Sequence, residues 1–147
     1  MFNFLKISIL MTLVSVYAYA NTDAEVHKLV NDATKYCKDE GHSKCFEVFN
    51  DKNGKFTKGT LYIFVIGYDG IIRSHGSNVK LIGKNLIKVK DAAGNMLIQE
   101  LINIAKSKGE GWFDYRWSHP KTKKIAPKRS FVKAIDNNML IGSGYYK

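Results

Sequence analysis

Three β-strand signatures follow one another with no helix between them, and they limit the folds open to this chain more than any other feature. They run from Gly111 to Ser118, from Ile125 to Ile135 and from Met139 to Tyr146. The turns between them, His119-Pro120-Lys121-Thr122 and Asp136-Asn137-Asn138, are short. Turns of this length join antiparallel neighbours. The chain therefore predicts an antiparallel sheet toward its C-terminal end, which the preceding segments have to cover.

The segments before this sheet include helical patterns. Apolar residues recur at helical spacing from Asp23 to Cys37, with Asn21, Thr22 or Asp23 as N-cap candidates. A shorter helical piece follows Gly41. A further helix is predicted from the apolar spacing of Met96, Leu97, Leu101, Ile104 and Ala105, ending at Lys106, Lys108 and Gly109.

Two further strands are predicted between these helices. The run from Leu61 to Ile66 is β-branched and aromatic, which is typical of a buried strand. Ile71 to Ser74 pairs back on it after the turn at Tyr68-Asp69-Gly70. The stretch from His75 to Asp91 is long for a loop, so we expect it to have local structure and to cover part of the molecule.

The order of elements is helix, two strands, helix, three strands. With hairpin connections it predicts an α+β fold of the PAS-like kind, whose five strands form one antiparallel sheet. The long N-terminal helix packs on one face of that sheet, and the helical crossover covers the other. Sheets of this kind cup a small ligand between the sheet and the crossover.

Residues 1–20 are predicted to be a signal peptide. Lys6 precedes an apolar run from Ile7 to Tyr17, and Ala18-Tyr19-Ala20 offers a small-residue cleavage site. An uncleaved membrane anchor is the alternative, although the run is short for a spanning helix, which needs about 20 residues. Residues 21–147 are then one exported domain, in the periplasm or outside the cell, with no membrane span of its own.

The chain is strongly basic. It has 23 Lys and Arg against 13 Asp and Glu, a formal net charge of +10. Such a surplus attracts anions, from small carboxylates to anionic lipids and acidic proteins. Export argues against nucleic acid as a partner, and the lysines are spread along the chain rather than clustered.

Cys37 and Cys45 are the two cysteines of the chain, and export permits a disulfide between them. Eight residues of unbroken helix would hold their Cα atoms about 12 Å apart, whereas a disulfide needs less than about 7 Å. Gly41 lies midway, and glycine is a residue at which a helix ends and the chain reverses. The disulfide is therefore expected if the helix breaks near Gly41.

The segment from Gly109 to Lys128 combines aromatic and basic side chains. Alternation along the strand places Phe113, Tyr115 and Trp117 on one face and Trp112 on the other. Tyr115 and Trp117 carry polar groups that need partners when buried, which suits either a sheet core or a ligand pocket.

Two charged or titratable residues join this group as candidates. Lys128 lies in the next strand and is either a counter-charge for a carboxylate or a solvated lysine. His75 begins the covering loop and stands at the mouth of the expected cavity.

Catalysis has little support in the sequence. The chain contains no GxSxG, no HExxH, no P-loop and no dinucleotide-binding glycine motif. We therefore predict that it is not an enzyme, and that it uses no cofactor and no metal.

Several sequence blocks resemble the single Cache domain, type 2. These blocks, in chain order, are YIFVIGYDGIIRSHG, LIGKNL, DAAG, AKSKGEGWFDYRW, HPKTKKIAPK and IGSGYY. The resemblance spans nearly all of residues 21–147. It implies an extracytoplasmic sensor with a PAS-like sheet that binds a small carboxylate of the acetate, propionate, lactate or pyruvate class without turnover.

The resemblance also implies which residues surround the ligand. Matched position by position, it places His75, Tyr115, Trp117 and Lys128 there, with Trp112 and Tyr62 as second choices. Cache receptors continue into a transmembrane helix, whereas this sequence stops at Lys147. It therefore resembles a stand-alone periplasmic Cache protein that signals through a membrane receptor or kinase. Whether it dimerises through its N-terminal helix stays open.

Two other functions remain as alternatives. One is a basic interaction module, without a pocket, for anionic lipid, polysaccharide or an acidic protein. The other is a small exported enzyme, which no motif supports.

Overall fold

The computed structural model describes residues 22–147. The predicted signal peptide, residues 1–20, therefore lies outside the described residues. The elements in chain order are α1 (Asp23–Glu40), α2 (His42–Phe49), β1 (Phe64–Gly67), β2 (Ile72–His75), a 3-10 helix (Val79–Leu81), α3 (Leu97–Lys108), β3 (Glu110–Ser118), β4 (Ile125–Ala134) and β5 (Met139–Tyr146).

The strands form one antiparallel sheet in the order β2-β1-β5-β4-β3. The predicted α+β, PAS-like architecture is confirmed. Strands β3, β4 and β5 lie within one residue of the predicted bounds, because the turn residues and the strand patterns indicate the same ends for each strand. Within the described residues, no helix is long and apolar enough to span a membrane.

The first predicted strand begins later than expected. The chain from Leu61 to Ile66 is buried throughout, but β1 starts only at Phe64. Leu61 and Lys58 bond to each other through their backbones in a tight turn. The residues just before Phe64 are therefore buried without belonging to a ladder of the sheet.

Thr22 is the N-cap of α1, one of the three predicted candidates. Its side chain accepts a hydrogen bond from the backbone N–H of Glu25, and the Glu25 carboxylate accepts from the backbone N–H of Thr22. This reciprocal pair is a capping box, which satisfies two backbone donors at the helix start. The cap thus fixes the start of α1 at Asp23.

Gly41 separates α1 from α2, as predicted. Its φ is 82°, a value that glycine adopts without the steric penalty of a Cβ atom. The break reverses the chain and brings the Cα atoms of Cys37 and Cys45 to 5.0 Å, and the two residues form a disulfide. The predicted disulfide is confirmed, and it holds the two helices as one unit.

The two faces of the sheet are covered by different helices. On one face, α1 and α2 bury a cluster that includes Val30, Phe49 and Phe131. On the other, α3 and the crossover bury a second cluster that includes Leu101 and Tyr115. The prediction that the helices cover opposite faces is confirmed.

Charged contacts fix the start of α1 to the sheet. Arg129 in β4 bonds to Asp23 and to Asp114 of β3, and Tyr145 of β5 donates to Asp23. Lys147 pairs with Asp114. These contacts bring the first turn of α1 next to the end of β5.

The crossover between β2 and α3 has local structure, as expected. The backbone N–H groups of Gly83 and Leu86 bond to the carbonyls of Ile72 and Gly70, and Ile72 donates to Lys84. Leu81 and other apolar side chains of this stretch pack on the α3 cluster. The crossover thus covers the outer edge of the sheet beside β2.

We expect removal of the disulfide to destabilise the fold measurably. The Cys37→Ser/Cys45→Ser variant should lose about 2 kcal/mol of unfolding free energy, because the short loop no longer restricts the unfolded chain. Urea unfolding followed by circular dichroism measures this loss. Wild-type protein unfolded under a reductant is the matched control and should behave like the variant. Equal stabilities of the variant and the oxidised wild type would contradict the prediction.

Candidate functional site

Three side chains from neighbouring strands form a row on the α3 face of the sheet. Tyr115 in β3 is the register partner of Lys128 in β4, and Lys128 is the partner of Tyr146 in β5. Directly opposed residues of antiparallel strands project from the same face. Lys128 is thereby placed between two tyrosines at the centre of the covered face.

Lys128 is a buried cation without an acidic partner. Only 1% of its surface is exposed, and its Nζ donates to Tyr62 Oη at 2.9 Å. None of the ion pairs formed within residues 22–147 includes it. Four aromatic rings instead lie within 6 Å of Nζ, at 4.2 to 5.9 Å: Tyr62, Phe64, Tyr146 and Tyr115. Their faces offset only part of the cost of burying an ammonium group.

Burial lowers the pKa of Lys128 from 10.5 to about 7. The low-dielectric surroundings disfavour the charged form, and no carboxylate opposes that effect. A negative charge placed beside Nζ would stabilise the ammonium and raise this pKa. The protonation of Lys128 is therefore sensitive to the arrival of an anion.

His75 is a neutral donor at the same site. Burial, followed by the nearby charge of Lys128, lowers its pKa to about 3. The Nδ1 atom accepts the backbone N–H of Asn78 at 3.1 Å, so the proton of the neutral ring is assigned to Nε2. The ring of His75 lies 4.8 Å from that of Tyr62, centroid to centroid. It supplies an N–H donor without adding a second positive charge.

A chain of hydrogen bonds leads from Lys128 to the rim of the site. Tyr146 Oη donates to the backbone oxygen of Ser118 at 2.7 Å, and it lies 3.4 Å from Tyr62 Oη. Because the single hydroxyl proton of Tyr146 is used on Ser118, Tyr62 donates to Tyr146. The donors therefore run in one direction, from Lys128 through Tyr62 and Tyr146 to Ser118. Burial raises the pKa of Tyr146 to about 12, which keeps its hydroxyl protonated.

Tyr115 is held by Ser130 of the neighbouring strand. The two hydroxyls are 3.0 Å apart, and burial raises the pKa of Tyr115 well above its usual value. A Cβ atom at Gly144 would collide with the Ser130 side chain. The glycine therefore leaves room for the hydroxyl that positions Tyr115.

These residues enclose a small cavity of about 20 Å³. A buried water needs about 10–15 Å³ measured this way, so the cavity is little larger than one water-sized position. Its walls combine polar groups of Tyr62, β2, β3 and β4 with apolar side chains of β1, β2 and α3. The lining residues are Tyr62, Phe64, Ile66, Ile72, His75, Leu97, Ile98, Leu101, Tyr115, Trp117 and Lys128.

The structure brings five of the six sequence-predicted site residues to this cavity: His75, Tyr115, Trp117, Lys128 and Tyr62. Trp112 is the exception, because its side chain does not line the cavity. It packs against Phe131 and the Arg129 guanidinium on the α1 face, because it differs by an odd number of strand positions from Tyr115. Among residues 22–147, no cluster of three metal-ligating side chains is present.

Sequence reasoning missed several residues of the site. Tyr146 follows from the β4–β5 register, since the turn at Asp136 sets it opposite Lys128. Counting back from that turn would have found it. Phe64 and the α3 residues Leu97, Ile98 and Leu101 are ordinary core residues in the sequence, and only packing places them at the cavity.

Lys128 should make the stability of the protein pH-dependent. Its folded pKa of about 7 lies below its unfolded value of 10.5, so between these values the unfolded chain binds the additional proton. Raising the pH across this window should stabilise the wild type by about 1 kcal/mol per unit relative to Lys128→Met, which lacks the group. Chemical unfolding of both proteins at pH 7, 8 and 9 measures the difference. A gap that does not change with pH would contradict the buried, unpaired lysine.

Two solved domains of chemosensory proteins superimpose on this structure. The solved methyl-accepting chemotaxis protein of Vibrio parahaemolyticus superimposes with a TM-score of 0.72 and 26% identity, over 84% of this chain and 86% of its own. A Cache chemosensory domain described for carboxylic acid recognition superimposes with a TM-score of 0.71, over 84% of this chain and 91% of its own. Its identity of 22% supports the shared fold alone.

Sequence relatives point the same way. The sensor histidine kinase MctS of Rhizobium johnstonii is 38% identical over 86 residues, which cover 58% of this chain and 18% of the kinase. The methyl-accepting chemotaxis protein McpP of Pseudomonas putida is 29% identical over 73 residues, which cover 49% of this chain and 13% of the receptor. The chain thus matches less than a fifth of the length of either relative.

The family assignment rests on the greater part of the chain. A profile of the Cache domain matches residues 27–147, from the second turn of α1 to the end of the sequence. Domains of this family are sensor domains rather than enzymes, and the proteins compared above are a sensor histidine kinase and chemotaxis proteins. The chain belongs to the Cache domain family.

Proposed function

We propose that this chain is an exported sensing domain that binds a short-chain organic acid in the cavity around Lys128. The observation that carries the proposal is a fully buried lysine with no acidic partner in a cavity rich in hydrogen-bond donors. A carboxylate accepts hydrogen bonds and carries the opposite charge. It therefore complements what the cavity offers.

The energetic argument begins with the free protein. An uncompensated buried charge is costly, and the low pKa of Lys128 expresses that cost. A carboxylate bound beside Nζ would restore the ammonium and form a charge-assisted hydrogen bond with it. In the free protein, the rest of the fold offsets the free-energy cost of burying Lys128. Binding of a carboxylate would recover part of that free energy.

Each cavity residue then has a distinct role. Lys128 would hold the carboxylate, with Tyr115 and the Nε2–H of His75 as further donors. Trp117 and the α3 side chains Leu97 and Leu101 would bound the short apolar tail. Pockets of this composition, apolar walls with a few placed polar groups, are typical of small-molecule sites.

The hydrogen-bond chain offers a way for binding to be sensed. A carboxylate that accepts a hydrogen bond from Lys128 Nζ would compete with Tyr62, which is linked through Tyr146 to the backbone of Ser118. The change would reach the rim of the site and the adjoining crossover. A membrane receptor or kinase would then read the altered surface.

The comparisons support the class of ligand and partner without extending further. One solved relative of this fold is described for carboxylic acid recognition, and sequence relatives are a sensor histidine kinase and a chemotaxis receptor. The disulfide between Cys37 and Cys45 suits an oxidising compartment such as the periplasm. We extend these properties to this chain as part of the proposal.

The basic interaction module remains the competing explanation, since the chain carries a net charge of +10. It predicts binding through surface charge, which weakens steeply with salt. Replacing Lys128 would then matter no more than replacing any exposed lysine. The cavity residues would have no effect.

We expect Lys128→Met to abolish acid binding while the protein stays folded. The apolar side chain of Met suits the buried position and removes only the charge. Calorimetry with acetate and propionate measures binding, and Lys106→Met, which replaces an exposed lysine at the end of α3, is the matched control. For the wild type at pH 8, titrations in two buffers of different ionisation enthalpy should show uptake of roughly one proton per acid bound. Affinity should fall as the pH rises above about 7. Full binding by Lys128→Met would overturn the proposal.

The size of the cavity predicts a preference among acids. Each additional CH₂ gains about 0.8 kcal/mol from burial, but forcing it into a filled core costs about 1–3 kcal/mol. With a cavity of about 20 Å³, we expect butyrate to bind roughly tenfold more weakly than acetate or propionate. Leu101→Ala shortens a side chain of the cavity wall and so enlarges the cavity. In this variant, butyrate should bind more tightly than acetate or propionate in the same calorimetric series. Equal affinities for all three acids in the wild type would contradict the assignment of the tail to this cavity.

A further inference from the structure

We propose that a basic groove outside the cavity concentrates anions at the mouth of the cavity and favours anions over neutral molecules. The groove is lined by Lys52, Lys121 and Lys123 together with Ser77 and Pro120, and we call it the lysine groove. Its role in loading the cavity rests on the proposed function. Its attraction for anions follows from its own charges.

The lysine groove is adjacent to the cavity, and the two share a wall. Tyr62 lines both the lysine groove and the cavity. A neighbouring outer groove shares Ser77, Pro120 and Lys123 with the lysine groove and shares His75 and Trp117 with the cavity. The outer spaces, of about 280 and 210 Å³, therefore lie directly against the residues that enclose Lys128.

The charges of the lysine groove are not neutralised. No Asp or Glu lines it or the neighbouring groove. Within residues 22–147, its three lysines make no ion pair, whereas Lys28 and Lys35 on α1 each pair with a nearby aspartate. Three lysines without an ion-pair partner among the described residues thus line a groove that shares a wall residue with the cavity.

The turn that carries Lys121 and Lys123 is held in place. The backbone carbonyl of His119 accepts the N–H of Lys123, and the backbone N–H of His119 donates to the carbonyl of Lys124. The Nδ1 atom of His119 accepts the backbone N–H of Lys121. Lys123 is the one non-glycine residue with positive φ, 62°, between residues 22 and 147. The ring of Tyr146, whose hydroxyl bonds to Ser118, packs at a tilt against that of His119, with 4.6 Å between the ring centroids. The backbone that presents these lysines is therefore fixed relative to the cavity.

Electrostatics explains why this arrangement would matter. Charges of one sign in a groove raise the local concentration of counter-ions, and the effect extends about 10 Å at 0.1 M salt. The cavity has little spare volume, so an acid has to shed its water before it can enter. A groove that holds the hydrated anion at the mouth increases the frequency of such attempts. A neutral molecule of the same size gains nothing from it.

The first test measures local anion concentration without any organic acid. In a Trp112→Phe background, Trp117 is the single tryptophan, and it borders both the cavity and the outer groove. Quenching of its fluorescence by iodide reports anions, and quenching by acrylamide reports simple access. In Lys121→Glu/Lys123→Glu, the iodide constant divided by the acrylamide constant should fall about threefold at low salt.

The control variant changes the net charge by the same amount elsewhere. Lys35→Glu/Lys38→Glu alters the exposed surface of α1, which lies on the opposite face of the sheet. Its quenching ratio should stay close to that of the parent protein. An equal fall in both variants, or no fall in either, would overturn the proposal because the groove would then have no local effect.

The second test connects the lysine groove with the cavity. In stopped-flow mixing with acetate, the association rate constant should fall about threefold in Lys121→Glu/Lys123→Glu but not in the control variant. The dissociation rate constant should change little in either. If acetate binds but both variants slow equally, the groove does not load the cavity and the proposal is overturned. If iodide quenching depends on Lys121 and Lys123 although no acid binds the wild type, the anion groove is supported and the proposed function is wrong.

Discussion

The contact between Lys128 and Tyr62 organises the face of the sheet that packs against α3. A lysine is seldom buried without a carboxylate, since removing an ammonium group from water is costly. Here the fold compensates in part with a tyrosine hydroxyl at 2.9 Å and four surrounding rings. The remainder appears as a lowered pKa. The resulting cavity is one in which an anion improves the electrostatics and a neutral or cationic group does not.

The two faces of the sheet differ in how completely they are packed. On the α1 face, the disulfide and a filled apolar cluster hold the helices to the strands. On the α3 face, the crossover and α3 leave a small space beside Lys128. Adjacent residues of β4 illustrate the difference, because Arg129 is paired with Asp23 and Asp114 whereas Lys128 has no acidic partner. A displacement of β4 would therefore move both the Arg129 ion pairs on one face and Lys128 on the other.

Local chemistry explains which predictions from the sequence are confirmed. Thr22 caps α1 because its hydroxyl and the Glu25 carboxylate are three positions apart. Gly41 ends the helix because it tolerates a positive φ, and the disulfide depends on that break. Alternation along β3 correctly separates Tyr115 and Trp117 from Trp112. The same alternation places Trp112 on the α1 face, away from the cavity, whereas the resemblance implies a position near the ligand.

The sequence by itself determined the element order, the antiparallel connections and the residues that point toward the α3 face, since these depend on periodicity and on short turns. Only the tertiary structure decided that Tyr62 is the direct partner of Lys128, that Tyr146 completes the row across three strands, and that α3 closes the cavity. Those relationships join residues as far apart as 62, 101 and 146. They depend on strand register and helix packing, which no local pattern in the chain encodes.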